Sequence, residues 1–141
     1  MGIRQSKYDD KYPTCLDTFV TLRIESNEVD PERVAKELRI TPSSVQTKGH
    51  LRNRRKIELN AWFLSSERNV KSKDSRRHID WLLAKLHPKR LIIKKMCKKG
   101  FRIDISCYWT STQGHGGPTL STKQLVKLGE LGIDFSYDFY S

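Results

Sequence analysis

Apolar residues recur at every second position from Phe19 to Ile24, where Val20, Leu22 and Ile24 alternate with Thr21 and Arg23, and this spacing predicts a half-buried strand. Val29, Asp30 and Pro31 then read as the N′ residue, N-cap and first residue of a helix, with Glu32 favourable to its dipole and Val34, Ala35 and Leu38 on one buried face. The helix is expected to stop before Thr41-Pro42, because proline disfavours a helical residue ahead of it. Lys48 to Lys56 is basic and turn-like, and Ile57, Leu59, Ala61 and Phe63 alternate with Glu58, Asn60 and Trp62 as a second strand.

Further on, Ser65 to Lys73 reads as a loop. Ile79, Leu82, Leu83 and Leu86 fall at i, i+3, i+4 and i+7, predicting an amphipathic helix over Ser75 to Leu86 with Arg76, Arg77 and Lys85 open to solvent and an end at His87-Pro88. Leu91 to Cys97 and Arg102 to Trp109 are β-rich runs on either side of Lys98-Lys99-Gly100, a hairpin signal. A polar, Gly-rich loop from Thr110 to Thr119 leads to Ser121 and Gln124, a capping box that starts a helix through Leu125, Leu128 and Leu131, with Gly132 as its C′ residue. Ile133, Phe135, Tyr137 and Phe139 alternate with acidic and Ser residues as a last strand. The predicted order is β-α-β-α-β-β-α-β: an α+β fold with helices on one face of a mostly antiparallel sheet. At 141 residues the chain is expected to be one domain, with residues 1–15 a loosely ordered extension.

Charge changes the picture more than composition does. Residues 1–47 carry 7 Lys and Arg against 8 Asp and Glu, residues 48–102 carry 18 against 4, and residues 103–141 carry 2 against 4. The excess lies within segments predicted to fold, so these charges are expected at fixed positions on a rigid basic face. The candidate binding residues are Lys48, Arg52, Arg54 and Arg55 before the second strand, Arg76 and Arg77 at the helix, and Lys94, Lys95, Lys98, Lys99 and Arg102 at the hairpin. Three readings follow: a polyanion, most plausibly nucleic acid, held through its phosphates; an acidic protein partner; or a solvated basic face. Lysines on a hairpin edge also guard against edge-to-edge pairing. Trp62, Phe101 and Tyr108 are the candidates for base stacking.

Signals for catalysis are thin. His115, flanked by Gly114, Gly116 and Gly117, could act as an acid or base, but a Gly-rich connection explains the same residues. Asp104, Asp134 and Asp138 fall on different strands and read as polar-face residues, and His50, His78 and His87 as surface or capping residues. Cys97 and Cys107 are expected to face each other across the hairpin, where nearby lysines would favour thiolate, although a small buried residue is the plainer reading of Cys107. No metal or cofactor is expected. The odd count of three cysteines, without a C-x-x-C pair, fits a reducing cytoplasm. No run approaches the ~20 apolar residues of a membrane span. Gly2 and Ser6 match the loose N-myristoylation pattern, a chance match on so short a motif.

The Phe19-to-Ile24 strand, the helix from Asp30-Pro31 to Thr41-Pro42 with Gly49 beyond it, the Trp62-to-Ser66 strand end, the His78-to-Pro88 helix and the Gly116-to-Tyr140 ending together resemble the bacterial family known as domain of unknown function 4279. The resemblance runs over nearly the whole chain and implies a small, stand-alone cytoplasmic bacterial protein. It carries no activity and no site residue. The density of Lys and Arg in the middle departs from the family's usual balance. The expectation is a protein that acts by binding rather than catalysis, with a polyanion as partner; the alternative is an immunity-type or inhibitor protein that occludes an acidic partner such as a toxin or a phage or defence enzyme.

Overall fold

The computed structural model describes residues 7–141; the Gly2–Ser6 motif lies outside them. The elements are β1 (Cys15–Ser26), α1 (Pro31–Leu38), β2 (Ser44–Gln46), β3 (Leu51–Arg52), β4 (Arg55–Lys56), β5 (Asn60–Ser65), α2 (Ser75–Leu86), a 3-10 turn (His87–Lys89), α3 (Arg90–Lys98), β6 (Arg102–Ser111), α4 (Thr122–Leu131) and β7 (Asp134–Tyr140). Five strands make one sheet in the order β2-β5-β1-β6-β7, and β3 and β4 make a separate two-stranded ribbon. All pairs are antiparallel except β6 with β7, which run parallel and are joined through α4. The fold is α+β, with a mostly antiparallel sheet.

Strand alternation divides the sheet into two unlike faces. Val20, Leu22 and Ile24 of β1, Trp62 and Leu64 of β5, and Ile103, Ile105 and Cys107 of β6 point one way and join Val34, Leu38, Ile79, Leu82, Leu83, Leu86, Ile93, Met96, Leu128 and Leu131 of the helices in a single core. Burying each such aliphatic side chain contributes roughly 1.5–3 kcal/mol. On the opposite, open face the register sets Phe63 beside Arg23 and Asp104, Ser65 beside Thr21 and Ser106, and Phe19 beside Tyr108. The Phe19 and Tyr108 rings stack with centroids 4.8 Å apart, and Tyr140 continues the row at 5.4 Å from Tyr108.

The caps form where the sequence places them. Asp30 accepts from the Glu32 N–H ahead of Pro31, Ser121 and Gln124 make both bonds of a capping box, and Gly132 closes α4 at φ 68°. Gln124 is buried, and its Nε2 donates to the Arg76 carbonyl and to Asp80, both at 2.8 Å, which ties α4 to α2.

Two expectations are corrected. Leu91–Cys97 is helical rather than a strand: Ile93 and Met96 are buried, with Ile92 and Cys97 half-buried beside them, which is a helical stripe, whereas a period of two would have turned Lys95 inward. Lys98-Lys99-Gly100 is accordingly no hairpin. Phe101 N–H donates to the Met96 carbonyl and Gly100 N–H to that of Cys97, with Gly100 at φ 95°, which is a Schellman helix stop. The order therefore departs from the predicted one twice: the short strands β2, β3 and β4 stand between α1 and β5, and α3 replaces the strand expected after α2, so Lys94, Lys95, Lys98 and Lys99 guard no strand edge.

Residues 7–10, within the segment expected to be loose, are bonded to α2 and the residues just before it. Lys7 and Tyr8 both bond Asp80, Asp9 N–H donates to Asp74 at 2.8 Å, and Asp10 pairs with Arg77 and accepts from Ser72.

Candidate functional site

The basic candidates fall into three environments. Arg76 lies on Asp74, its Nη2 2.6 Å from the carboxylate, and Asp74 also caps α2 by accepting from the Arg76 N–H. Burial acts to raise the Asp74 carboxyl, but the bonds from Arg76 and from Asp9 N–H outweigh it and hold the group below its ordinary value. Arg77 makes two bonds to Asp10 and covers the Tyr8 ring at 4.3 Å. Both arginines, expected to be open to solvent, are half-buried and occupied in fixing the N-terminal segment to α2. Such charges are poorly placed to take a phosphate, because binding one means first breaking a formed pair.

Lys94, Lys95, Lys98 and Lys99 are exposed on the outer side of α3, among the helices. Lys48 and the ribbon residues Arg52, Arg54 and Arg55 lie on the other layer. Two shallow hollows flank the ribbon: one is lined by Glu25, Gln46, Ala61, Arg52, Arg55 and Lys56, the other by Thr21, Ser44, Gln46, Phe63, Ser65, His50, Leu51 and Arg52. Thr21, Glu25, Ser44, Gln46, Ala61, Phe63 and Ser65 are open-face positions by register, so the ribbon overhangs that face. Arg102 belongs here too, 3.9 Å from Glu25, which also takes Arg23 at 3.2 Å. The candidates thus occupy two opposite layers rather than one face.

The ribbon is unusual for its size. Leu51 pairs with Lys56 and Arg52 with Arg55, leaving Asn53 and Arg54 as a two-residue turn, with φ 50° and 63°. Positive φ at both central positions is a type I′ turn, in which the second residue is commonly glycine. Arginine there carries a strain of roughly 1–2 kcal/mol. Arg52 and Arg55 are directly opposite, a like-charge pair that costs stability, and among the described residues Lys48, Arg52, Arg54, Arg55 and Lys56 make no ion pair.

Of the stacking candidates, Trp62 is fully buried and Phe101 packs at the core's edge. Only Tyr108 is on the open face, where Phe19, Tyr140 and Phe63, which sequence reasoning did not select, accompany it. Alternation in β1 places Phe19 there, opposite to Val20, Leu22 and Ile24, but in β5 the expected apolar row of Ile57, Leu59, Ala61 and Phe63 is reversed: Trp62 and Leu64 enter the core and Phe63 faces out.

His78, expected at the surface, is buried. Val20 N–H donates to Ser66 Oγ, which donates to His78 Nδ1 at 2.7 Å, while Nε2–H donates to the Ser72 carbonyl at 2.8 Å. Burial lowers its pKa, partly offset by the Ser72 carbonyl. This Ser–His pair is closed on all sides and ties the β5–α2 connection to β1. His87 meets Glu130 at 2.7 Å, and His50 and His115 are exposed. In the 115 loop, a Cβ on Gly116 would come within 2.4 Å of Thr14 Oγ1, so the glycine permits the close approach of that segment. Cys97 on α3 does not face Cys107 on β6; burial raises both thiols, Cys107 to about 11, opposite in direction to an activated thiolate. Asp104 is held by Arg23 in a two-bond pair, and no metal-binding group of three acidic, His or Cys side chains occurs among the described residues. Among the same residues no helix is long and apolar enough to cross a membrane.

The model of the family described as domain of unknown function (DUF4279) matches residues 16–141. The chain belongs to this family. The match spans β1 to β7, so the ribbon and both basic layers lie inside the family domain. No curated protein and no solved structure matches the chain.

Proposed function

We propose that the protein binds a polyanion, most plausibly nucleic acid, through the β3–β4 ribbon and its surroundings: Lys48, Arg52, Arg54, Arg55, Lys56 and Arg102. The observation that carries this reading is the unrelieved charge of the ribbon. Arg52 faces Arg55, Arg54 occupies a turn position where glycine would be unstrained, and the ribbon's cations have no carboxylate partner among the described residues. A small ribbon that accepts both like-charge repulsion and backbone strain gains from an anion that enters between its arginines. Lys94, Lys95, Lys98 and Lys99 on the opposite layer add attraction at long range and steer encounter rather than forming the contact. Arg76 and Arg77 have a structural role. The protein acts by binding, in the cytoplasm.

Retention on heparin and gel shifts with mixed-sequence DNA and RNA, repeated from low to moderate salt, test the reading. Binding that weakens steeply with salt is expected, with a log–log slope near −0.7 to −0.9 for each phosphate neutralised. Absence of any shift at low salt would reject it.

A further inference from the structure

The open face beneath the ribbon has the chemistry of a base-binding floor. Its hollow places the half-buried Phe63 ring among the hydroxyls of Thr21, Ser44 and Ser65, with Arg52 and His50 on the ribbon side. Gln46 lines this hollow and its neighbour, and its side-chain amide makes no hydrogen bond among the described residues, so it has a donor and an acceptor to offer a base edge. The Ser44 hydroxyl is likewise uncommitted among the described residues. Glu67 also lines this hollow, and Glu25, in the neighbouring hollow, is neutralised by Arg23 and Arg102. Beyond Thr21 on the same face stands the stacked row of Phe19, Tyr108 and Tyr140.

We propose that this hollow seats an unpaired base of a single-stranded nucleic acid, stacked on Phe63 and read by Gln46, with the adjoining phosphates on Arg52 and Arg55. The inference rests on the nucleic-acid reading above and narrows it. Duplex is disfavoured by geometry. The ribbon strands are two residues long, about 7 Å at roughly 3.3 Å per residue, against a major groove about 8.5 Å deep, and the ribbon bends over the sheet instead of projecting from it. A single strand presents exposed base faces to the ring and phosphates to the arginines at once.

The test is a fluorescence-anisotropy titration at low salt with three labelled probes of equal length: a mixed-sequence single strand, an abasic strand with the same phosphates, and a duplex. The single strand should bind about tenfold or more tighter than the abasic strand. Phe63→Thr should lower single-strand affinity about tenfold while leaving abasic binding unchanged, and Phe63→Tyr, which keeps the ring, should restore it; circular dichroism of each variant checks the fold. Equal affinity for all three probes, or a Phe63→Thr protein that binds the single strand as well as wild type does, would overturn the base site while leaving the polyanion reading standing. No binding to any probe would overturn both.

Discussion

Arg52 and Arg55 face each other across the β3–β4 ribbon, one residue on either side of a turn in which Asn53 and Arg54 both have positive φ. Opposed like charges and a non-glycine residue in a left-handed turn each cost free energy, and both occur within six residues that form no ion pair among the described residues. Their combination separates what the ribbon does for stability from what it does for binding.

Arg54→Gly makes that separation measurable. Glycine relieves the turn strain, so thermal unfolding should be unchanged or shifted upward, whereas affinity for a polyanion should fall through loss of one cation. A destabilised Arg54→Gly protein, or one with undiminished binding, would show that the arginine is there for folding.

Arg76 and Arg77 should behave in the opposite way. Asp74→Ala removes the α2 cap and the Arg76 partner together and should cost about 0.5–2 kcal/mol in denaturant unfolding. Arg77→Ala should increase hydrogen exchange in residues 8–12, which it fixes through Asp10. Polyanion affinity should change far less in either variant than in ribbon variants.

The buried His78 makes stability depend on pH. Its folded-state pKa lies below the unfolded value of 6.5, so the unfolded chain binds the proton first, and stability falls as pH drops from about 6.5 toward the lowered folded value. The loss from this group cannot exceed about 1.4 kcal/mol per pH unit. Unfolding measured across this range should show the decline, and an imidazole NMR titration should find His78 titrating below 6.5. Titration at or above 6.5 would contradict the account.

Gln124 links two helices from within a capping box. Gln124→Ala leaves the Arg76 carbonyl and Ser121 N–H without their partner and should destabilise the protein by about 1–3 kcal/mol, with Gln124→Glu failing to restore it because a second carboxylate would face Asp80.

Features written over a few neighbouring residues were legible in the sequence. Asp30-Pro31, Ser121 with Gln124, and Gly132 set their helix ends through bonds to backbone within one turn, and the alternation of β1 and β7 follows from side-chain direction alone. Leu91–Cys97 reads as a strand because its isoleucines favour strands and Gly100 signals a turn equally well as a helix stop; only packing of Ile93 and Met96 into the core decides. The ribbon carried no hairpin signal, since its turn is Asn-Arg and not Asn-Gly. Arg77 looked free because its partner Asp10 is 67 residues away in the chain. The open-face ring of Phe63 meets the ribbon residues Leu51 and Arg52 only through the tertiary fold, which no local pattern encodes.

The central claim is that the ribbon arginines contact phosphate. Anisotropy titrations of a labelled single strand across a salt series, comparing wild type with Arg52→Ser/Arg55→Ser, measure this directly. The account predicts a large loss of affinity at low salt and a log–log salt slope shallower by about 1.4, two phosphate contacts at roughly 0.7 each. Unchanged affinity and slope in the double variant, with binding lost instead on replacing Lys94, Lys95, Lys98 and Lys99, would contradict it and move the contact to α3.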